Sequence, residues 1–144
     1  MIAVDTNILV SFQREEHPHH SQALSVLVAL AEGTAPWAIP WACIHEFLAV
    51  VTHSRVFKHP TSTADAIDAV SAWLESPTLR MIGEGPGYWP VLRQQLQDGQ
   101  IAGPRVHDAR IAAICIQNGV REFWTADRDF SRFPRLKCRN PLIA

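Results

Sequence analysis

Short apolar runs alternate with longer amphipathic segments from one end of the chain to the other. Each run is three or four residues long and rich in branched or aromatic side chains, which is typical of strands that a parallel sheet buries on both faces. The pattern predicts strands at residues 2–4, 37–39, 79–82 and 122–125, and a last strand near residues 136–138.

Between these runs, apolar residues recur at three- and four-residue spacing, which is the period of a helix with one buried face. We predict helices over residues 8–12, 21–32, 41–52, from Thr61 or Thr63 to about 74, 86–97 and 106–116. No internal repeat or linker interrupts the alternation. The sequence therefore predicts an α/β fold, a three-layer sandwich with a mostly parallel central sheet, in a single domain over residues 1–144.

The overall charge and the cysteines narrow the class of protein. The formal net charge is −1, so no global basic field indicates a nucleic-acid partner, although a local patch can hide in the sum. The three cysteines form no C-x-x-C pair, which argues against a zinc site or disulfide framework and favours a reducing cytoplasm. No signal peptide is recognisable, and no apolar run approaches the roughly 18 residues of a membrane span.

Three carboxylates stand where apolar neighbours make their burial costly. Asp5 follows the first strand, Glu46 shares a helix face with apolar residues three and four positions away, and Asp108 opens a helix that is apolar almost all round. An ionised carboxylate buried without a partner is prohibitive, so such groups pair, become protonated or hold a metal. Since no lysine lies on these faces, the pattern favours a hard divalent cation, Mg²⁺ or as a substitute Mn²⁺.

A fourth acid is expected from the end of the strand at residues 122–125. We favour Asp127 for the pocket and place Asp129 in a supporting position, where it caps the local turn or accepts a bond from Arg128 or Arg132. Each acid taken alone has a structural alternative. Asp5 can cap the following helix, Asp108 can stabilise the positive end of its own helix, Asp127 can belong to a turn, and Glu46 can lie at a solvated edge.

The same residues resemble a known family. The segments IAVDTNIL at 2–9, IHEFLAV at 44–50, HDARIAAI at 107–114 and WTADRDFSRF at 124–133 resemble the four acidic blocks of PIN-domain ribonucleases, above all the VapC-type toxins of type II toxin–antitoxin systems. The resemblance implies a catalytic set of Asp5, Glu46, Asp108 and Asp127, with Mg²⁺ held by Asp5 and Asp108. It implies that Asn7 and Thr125 are supporting polar residues.

This resemblance also implies a reaction and partners. The expected activity is metal-dependent hydrolysis of single-stranded or loop RNA, which leaves a 3′-hydroxyl and a 5′-phosphate. The expected partners are the RNA, a small cognate antitoxin and a second copy of the chain in a homodimer, with no membrane. Several cations are candidate contacts to the RNA backbone, although each is equally suited to be a solvated surface charge: Arg14, Arg55, Lys58, Arg105, Arg128 and Arg132.

Two other functions remain open at this stage. A phosphatase can use Asp5 as a nucleophile, but that chemistry needs a second acid two residues later, where the chain has Asn7. A binding module without catalytic activity is the other alternative. The zinc motif H-E-x-x-H is excluded, because His45 and Glu46 are followed by alanine at position 49.

Overall fold

The computed structural model describes residues 1–143, and residue 144, the end of the predicted domain, lies outside the described residues. Its strands are β1 (Ile2–Val4), β2 (Trp37–Pro40), β3 (Leu79–Ile82), β4 (Glu122–Trp124) and β5 (Cys138–Arg139). They form one sheet in the order β3-β2-β1-β4-β5, and every neighbouring pair is parallel. The α/β fold with a parallel central sheet is therefore confirmed.

Helices connect and flank the strands. They are α1 (Thr6–Gln13), α2 (His20–Glu32), α3 (Trp41–Val51), α4 (Thr63–Leu74), α5 (Tyr88–Asp98) and α6 (Val106–Gln117). Two short 3₁₀ segments, Gly103–Arg105 and Arg128–Arg132, precede α6 and follow β4. None of the helices in this described part of the chain is long and apolar enough to cross a membrane.

The sequence placed most of these boundaries within two residues, and the departures have local causes. The cap of α4 is Ser62, whose hydroxyl accepts a hydrogen bond from the Asp65 amide, and not Thr61 or Thr63. Helix α5 begins at residue 88 and not at 86, because Gly87 has a φ of 81° that a helix does not continue through. The last strand is two residues long and begins at Cys138, where β4 has a register partner for it.

The strand order places β1 in the middle of the sheet, with β2 on one side and β4 on the other. Strands β2 and β3 extend the sheet on one side of β1, and β4 and β5, which come later in the chain, extend it on the other side. In such sheets, the crevice outside the carboxyl ends of the strands where the order reverses is the usual ligand site. Here that point lies between the ends of β1 and β4.

The core lies along the sheet and along α6, which the sequence predicted to be apolar almost all round. Ala109 and residues 111–115 are all buried. Trp37 and Trp73 are also buried, and the Trp73 ring packs against Phe47 with ring centroids 4.8 Å apart. Both tryptophans therefore belong to the core and are not available for a dimer interface.

Arg14 fastens the loop between α3 and α4 to the end of α1. Its guanidinium donates to the His59 carbonyl at 2.8 Å and to the Thr61 hydroxyl at 3.1 Å, and it lies 4.1 Å from the centre of the Phe57 ring. The Arg14 side chain is only 11% exposed and also pairs with Glu16. This arginine is therefore a structural tie, and most of its donors are already bonded within the chain.

Replacing Arg14 with alanine should loosen residues 53–61 and cost about 1–2 kcal/mol of unfolding free energy, since it removes two hydrogen bonds and a cation–π contact. Hydrogen exchange of the amides in this loop measures the effect. Arg55→Ala, at an exposed position of the same loop, is the control and should change neither quantity. Unchanged exchange in Arg14→Ala would contradict the assigned role.

Candidate active site

The four predicted acids line one pocket of about 230 Å³ at the point where the strand order reverses. Asp5 follows β1, Asp127 follows β4, Glu46 lies on α3, and Asp108 lies in the first turn of α6. The pocket, called here the acid pocket, is completed by apolar and polar walls: Thr6, Asn7, Val10, His17, Val50, Ile111 and Phe130. Four segments that are far apart in sequence thus meet at one place.

Asp5 is the most buried of these acids, with 4% of its surface exposed. One carboxylate oxygen accepts the Thr6 amide at 2.7 Å, and the other accepts the Thr125 hydroxyl at 2.7 Å and the Asn7 amide group at 3.2 Å. Asp5 is therefore the N-cap of α1, which was the alternative to a site role in the sequence analysis, and it also lies on the pocket floor. The two interpretations are compatible because a carboxylate has about four acceptor positions.

Asn7 and Thr125 tie the ends of β1 and β4 together. The Asn7 side chain donates to Thr125 Oγ1 at 3.2 Å, and its own oxygen accepts the Ala126 amide at 3.0 Å. Thr125 Oγ1 also accepts the Asp127 amide at 3.0 Å. These two residues, predicted as supporting polar groups, contact Asp5 directly and hold the backbone that carries Asp127.

Asp127 lies in the pocket that the sequence favoured for it, whereas Asp129 does not make the contacts that the sequence suggested. Asp127 lines the acid pocket and also caps the following turn, where it accepts the Asp129 amide at 2.9 Å. Asp129 does not cap that turn and bonds neither Arg128 nor Arg132. It forms an ion pair with Arg105, from the segment before α6.

Arg105 is a residue that the sequence did not connect to the acids in this way. Its guanidinium contacts Asp108 at 3.5 Å while it pairs with Asp129. Within residues 1–143 it is the only arginine or lysine in ion-pair distance of an acid of the pocket. Its three-residue separation from Asp108 was visible in the sequence, but the distance to Asp129 depends on the fold.

Two other residues of the site escaped the sequence analysis. His17 is half-buried, lines the acid pocket and lies 3.5 Å from Ser11 Oγ. Burial lowers the pKa of His17, which favours the neutral ring. Cys43 is fully buried beneath Asp5, with its sulfur 3.7 Å from the carboxylate. No periodicity or spacing pointed to either contact.

The electrostatics of the pocket are those of crowded acids. Burial raises the pKa of Asp5 to about 7, against the opposing hydrogen bonds, and the nearby Glu46 raises it further. The pKa values of Glu46 and Asp108 are also raised, first by loss of solvent and then by neighbouring carboxylates, with Asp127 acting on both. The acids therefore lie close enough to disfavour one another's charge.

The donor set fits a hard divalent cation. The pocket offers carboxylate oxygens in excess over the single contacting guanidinium, which is the chemistry that Mg²⁺ prefers. As placed, no three acidic, histidine or cysteine side chains of residues 1–143 converge closely enough to hold one ion. Glu46 is exposed, as its solvated-edge alternative expected, and Asp108 is half-buried, so both side chains have room to turn toward the buried Asp5.

Fold and pocket first define the class: a parallel α/β domain with an anionic oxygen-donor site where the strand order reverses. The comparisons agree with that class. The family model described as the PIN domain matches residues 2–136 of the chain.

Relatives across almost the whole chain narrow the family further. Ribonuclease VapC43 of Mycobacterium tuberculosis is 37% identical over 142 residues, which cover 99% of this chain and 96% of the relative. Ribonuclease VapC25 of the same species is 28% identical and covers 99% of this chain and all of the relative. The chain belongs to the PIN-domain family and, within it, to the VapC ribonucleases.

Solved structures show the same fold. The crystal structure of VapC20 of Mycobacterium tuberculosis, described as a toxin that cleaves the Sarcin–Ricin loop, matches with a TM-score of 0.67 at 17% identity and covers 91% of this chain and 93% of that one. VapBC2 of Rickettsia felis, bound to a DNA fragment from its promoter, matches with a TM-score of 0.67 at 26% identity and covers 97% and 98%. The resemblance recognised in the sequence is thus confirmed.

The raised pKa of Asp5 predicts how stability depends on pH in metal-free protein. The folded state keeps a proton on Asp5 that the unfolded chain releases above the ordinary aspartate pKa of 3.8, so folding is favoured at low pH. The free energy of unfolding should therefore fall as pH rises from about 4 through about 7, by at most about 4 kcal/mol from this group. Urea denaturation in EDTA at a series of pH values measures the slope.

Asp5→Asn should flatten that slope, because the amide does not titrate. Asp98→Asn is the matched control, since this exposed acid on α5 bonds only Gln94 and should leave the slope unchanged. A slope of equal size in Asp5→Asn and in the unmodified chain would show that another group causes it.

Proposed function

We propose that the protein is a metal-dependent endoribonuclease that acts as the toxin of a type II toxin–antitoxin pair. One observation carries the proposal: four carboxylates from distant segments gather in one pocket of a PIN domain. The names of the relatives as VapC ribonucleases support the class of substrate.

The substrate is single-stranded or loop RNA. We place its scissile phosphate against the acid pocket, which has a volume of about 230 Å³. Unpaired nucleotides can be splayed away from their neighbours, which lets a protein reach the backbone and the base edges of one position. The description of VapC20 as a toxin that cleaves a named RNA loop supports this choice.

Asp5 and Asp108 are the residues we assign to hold Mg²⁺, with Mn²⁺ as a substitute. A divalent cation in such a pocket lowers the pKa of a coordinated water and polarises a phosphoryl oxygen. The hydrogen bonds from Thr6, Thr125 and Asn7 fix the Asp5 carboxylate, so that it does not need to be ordered when the ion arrives.

Glu46 and Asp127 act on the attacking water. Glu46 is exposed at the pocket and has a raised pKa, and it takes the proton that the water gives up. Asp127 is fixed by its own turn and orients the water. The water oxygen bonds to phosphorus, the bond from phosphorus to the 3′ oxygen breaks, and that oxygen takes a proton from solvent, which leaves a 3′-hydroxyl and a 5′-phosphate.

The phosphatase alternative is disfavoured by the surroundings of Asp5. A phosphatase of this kind needs a second carboxyl group beside the nucleophile as its proton donor, and an amide cannot replace it. Asn7 occupies the position of the second acid and bonds Asp5 in place of a substrate oxygen. No feature of the site favours the idle binding module.

Asp108→Asn should lower Mg²⁺-dependent cleavage of RNA by about a hundred-fold or more, because it removes one charge from the metal site without changing its shape. Gel analysis of purified total RNA, with 5′-end mapping of the products, measures the rate and the chemistry of the ends. Asp5→Asn should have the same effect, and EDTA should abolish cleavage.

Asp98→Asn is again the control and should cleave at the rate of the unmodified chain, because its carboxylate lies outside the pocket. Full activity in EDTA, or in Asp5→Asn and Asp108→Asn together with normal folding, would rule out the proposed mechanism. A phosphorylated aspartate trapped on Asp5 would instead favour the phosphatase.

The proposal includes two protein partners, a small antitoxin and a second copy of the chain. The Rickettsia felis neighbour is a VapBC assembly by its description, which supports an antitoxin. Trp41 and Trp89 are 43% and 62% exposed, and aromatic side chains of this size are enriched in protein interfaces.

The purified chain should therefore be dimeric in light scattering, and Trp89→Ser should shift the equilibrium toward monomer if Trp89 lies in the interface. Ser25→Ala, at an exposed position of α2, is the control. A monomeric mass for the unmodified chain at all concentrations would exclude the homodimer and leave the nuclease proposal intact.

A further inference from the structure

A second cleft opens beside the acid pocket. It has a volume of about 700 Å³ and shares two walls with the pocket, Asp108 and Asp127. Its remaining walls come from the segment before α6 and from the 3₁₀ segment after β4, and they include Arg105, Asp129 and Arg132. We call it the side cleft. Any chain-like substrate whose reacting group lies at Asp108 and Asp127 must leave the pocket past these residues or on the opposite side.

The charges of the side cleft differ from those of the acid pocket. Three carboxylates and two guanidinium groups line the side cleft, and two of the carboxylates, Asp108 and Asp127, are shared with the acid pocket. Of the groups outside the acid pocket, Asp129 is paired with Arg105, and Arg132 has no acid of residues 1–143 within ion-pair distance. The Arg105 guanidinium uses one nitrogen for Asp108 and another for Asp129, and 38% of the side chain remains exposed. A guanidinium has five N–H donors in a fixed fork, so Arg105 keeps donors for a further anion.

The walls of the side cleft are tightly built. Gln100, one of its lining residues, has a φ of 50°, and it is the only residue other than glycine among the described residues with a positive φ. A side chain added at the neighbouring Gly99 would come within 3.1 Å of the Arg132 carbonyl. The left-handed backbone conformation of Gln100 persists only where the surrounding structure enforces it, and such conformations concentrate at ligand-binding segments.

We propose that the side cleft binds the RNA phosphodiester next to the one that is cut, with Arg105 and Arg132 as its contacts. This inference rests on the proposed function, because it assigns the path of the same substrate. Asp129 is the positioning residue of the cleft: it holds the Arg105 guanidinium beside Asp108, between the two phosphates. The contact is to the backbone, so it adds affinity without selecting a sequence.

The test is the salt dependence of RNA binding. Anisotropy of a labelled single-stranded RNA of mixed sequence, with Ca²⁺ in place of Mg²⁺ to slow cleavage, gives Kd between roughly 50 and 200 mM salt. Arg105→Ala should weaken binding about ten-fold and reduce the slope of log K against log salt by about 0.7, the value for one contact to a single strand. Arg132→Ala should reduce the slope by a similar amount.

Arg110→Ala is the matched control. Arg110 lies on α6, is 40% exposed and pairs with Glu84 outside the side cleft, so its loss should leave the slope unchanged. Arg105→Lys keeps the charge but not the fork, and it should retain the slope with weaker binding. Asp129→Asn should weaken binding only when Arg105 is present, which a double-variant cycle detects.

The outcomes separate the inference from the function on which it rests. Slopes equal to that of the unmodified chain in both Arg105→Ala and Arg132→Ala, with cleavage of RNA by the unmodified chain intact, would overturn the side cleft alone. An unmodified chain that neither cleaves nor binds RNA would overturn both. If Arg105→Ala is unfolded by circular dichroism, Arg132→Ala and Arg105→Lys decide the question.

Discussion

The structure depends on the buried carboxylate of Asp5 and the donors that surround it. The pairing of β1 with β4 sets Val4 opposite Trp124, and the Asp5 amide bonds the Trp124 carbonyl at 2.9 Å. Asp5 and Thr125 are therefore the next residues of two strands in fixed register. The hydroxyl of one bonds the carboxylate of the other because the sheet leaves them no other arrangement. A slip of β4 by one residue against β1 would turn Thr125 to the other face of the sheet and break its hydrogen bond to Asp5.

Burial of the Asp5 carboxylate costs free energy when the group is charged, and the neighbouring acids increase that cost. Hydrogen bonds from Thr125 and Thr6 favour the charged form of Asp5, yet burial outweighs them and raises its pKa to about 7. Glu46, Asp108 and Asp127 add charges of the same sign at the rim. A fold optimised for stability alone would not gather these groups, which is why we propose a divalent cation for the pocket.

The sequence predicted the parts of this site that depend on local rules. Asp5 and Asp127 follow strands, and Asp108 opens a helix, so their positions at element ends could be inferred from periodicity alone. The contacts that join them could not. Asn7 and Thr125 are 118 positions apart, and only the register of β1 against β4 brings them to 3.2 Å. The pairing of Arg105 with Asp129 likewise depends on how the segment before α6 meets the turn after β4.

The arginines also show that contacts made by the fold cannot be predicted from the sequence. In the sequence, Arg14 and Arg105 are both candidates for contact with a nucleic acid, and the spacing of Arg105 from Asp108 does not show which of its donors stay available. In the fold, the Arg14 guanidinium donates to the loop between α3 and α4 and to Glu16. The Arg105 guanidinium contacts Asp108 and keeps further N–H donors available. The value of a cation for binding an anion is set by what already satisfies it, since a guanidinium that is fully bonded gains little from a phosphate. The sequence therefore shows the charge of an arginine, but only the folded structure shows whether its donors are free to bind a phosphate.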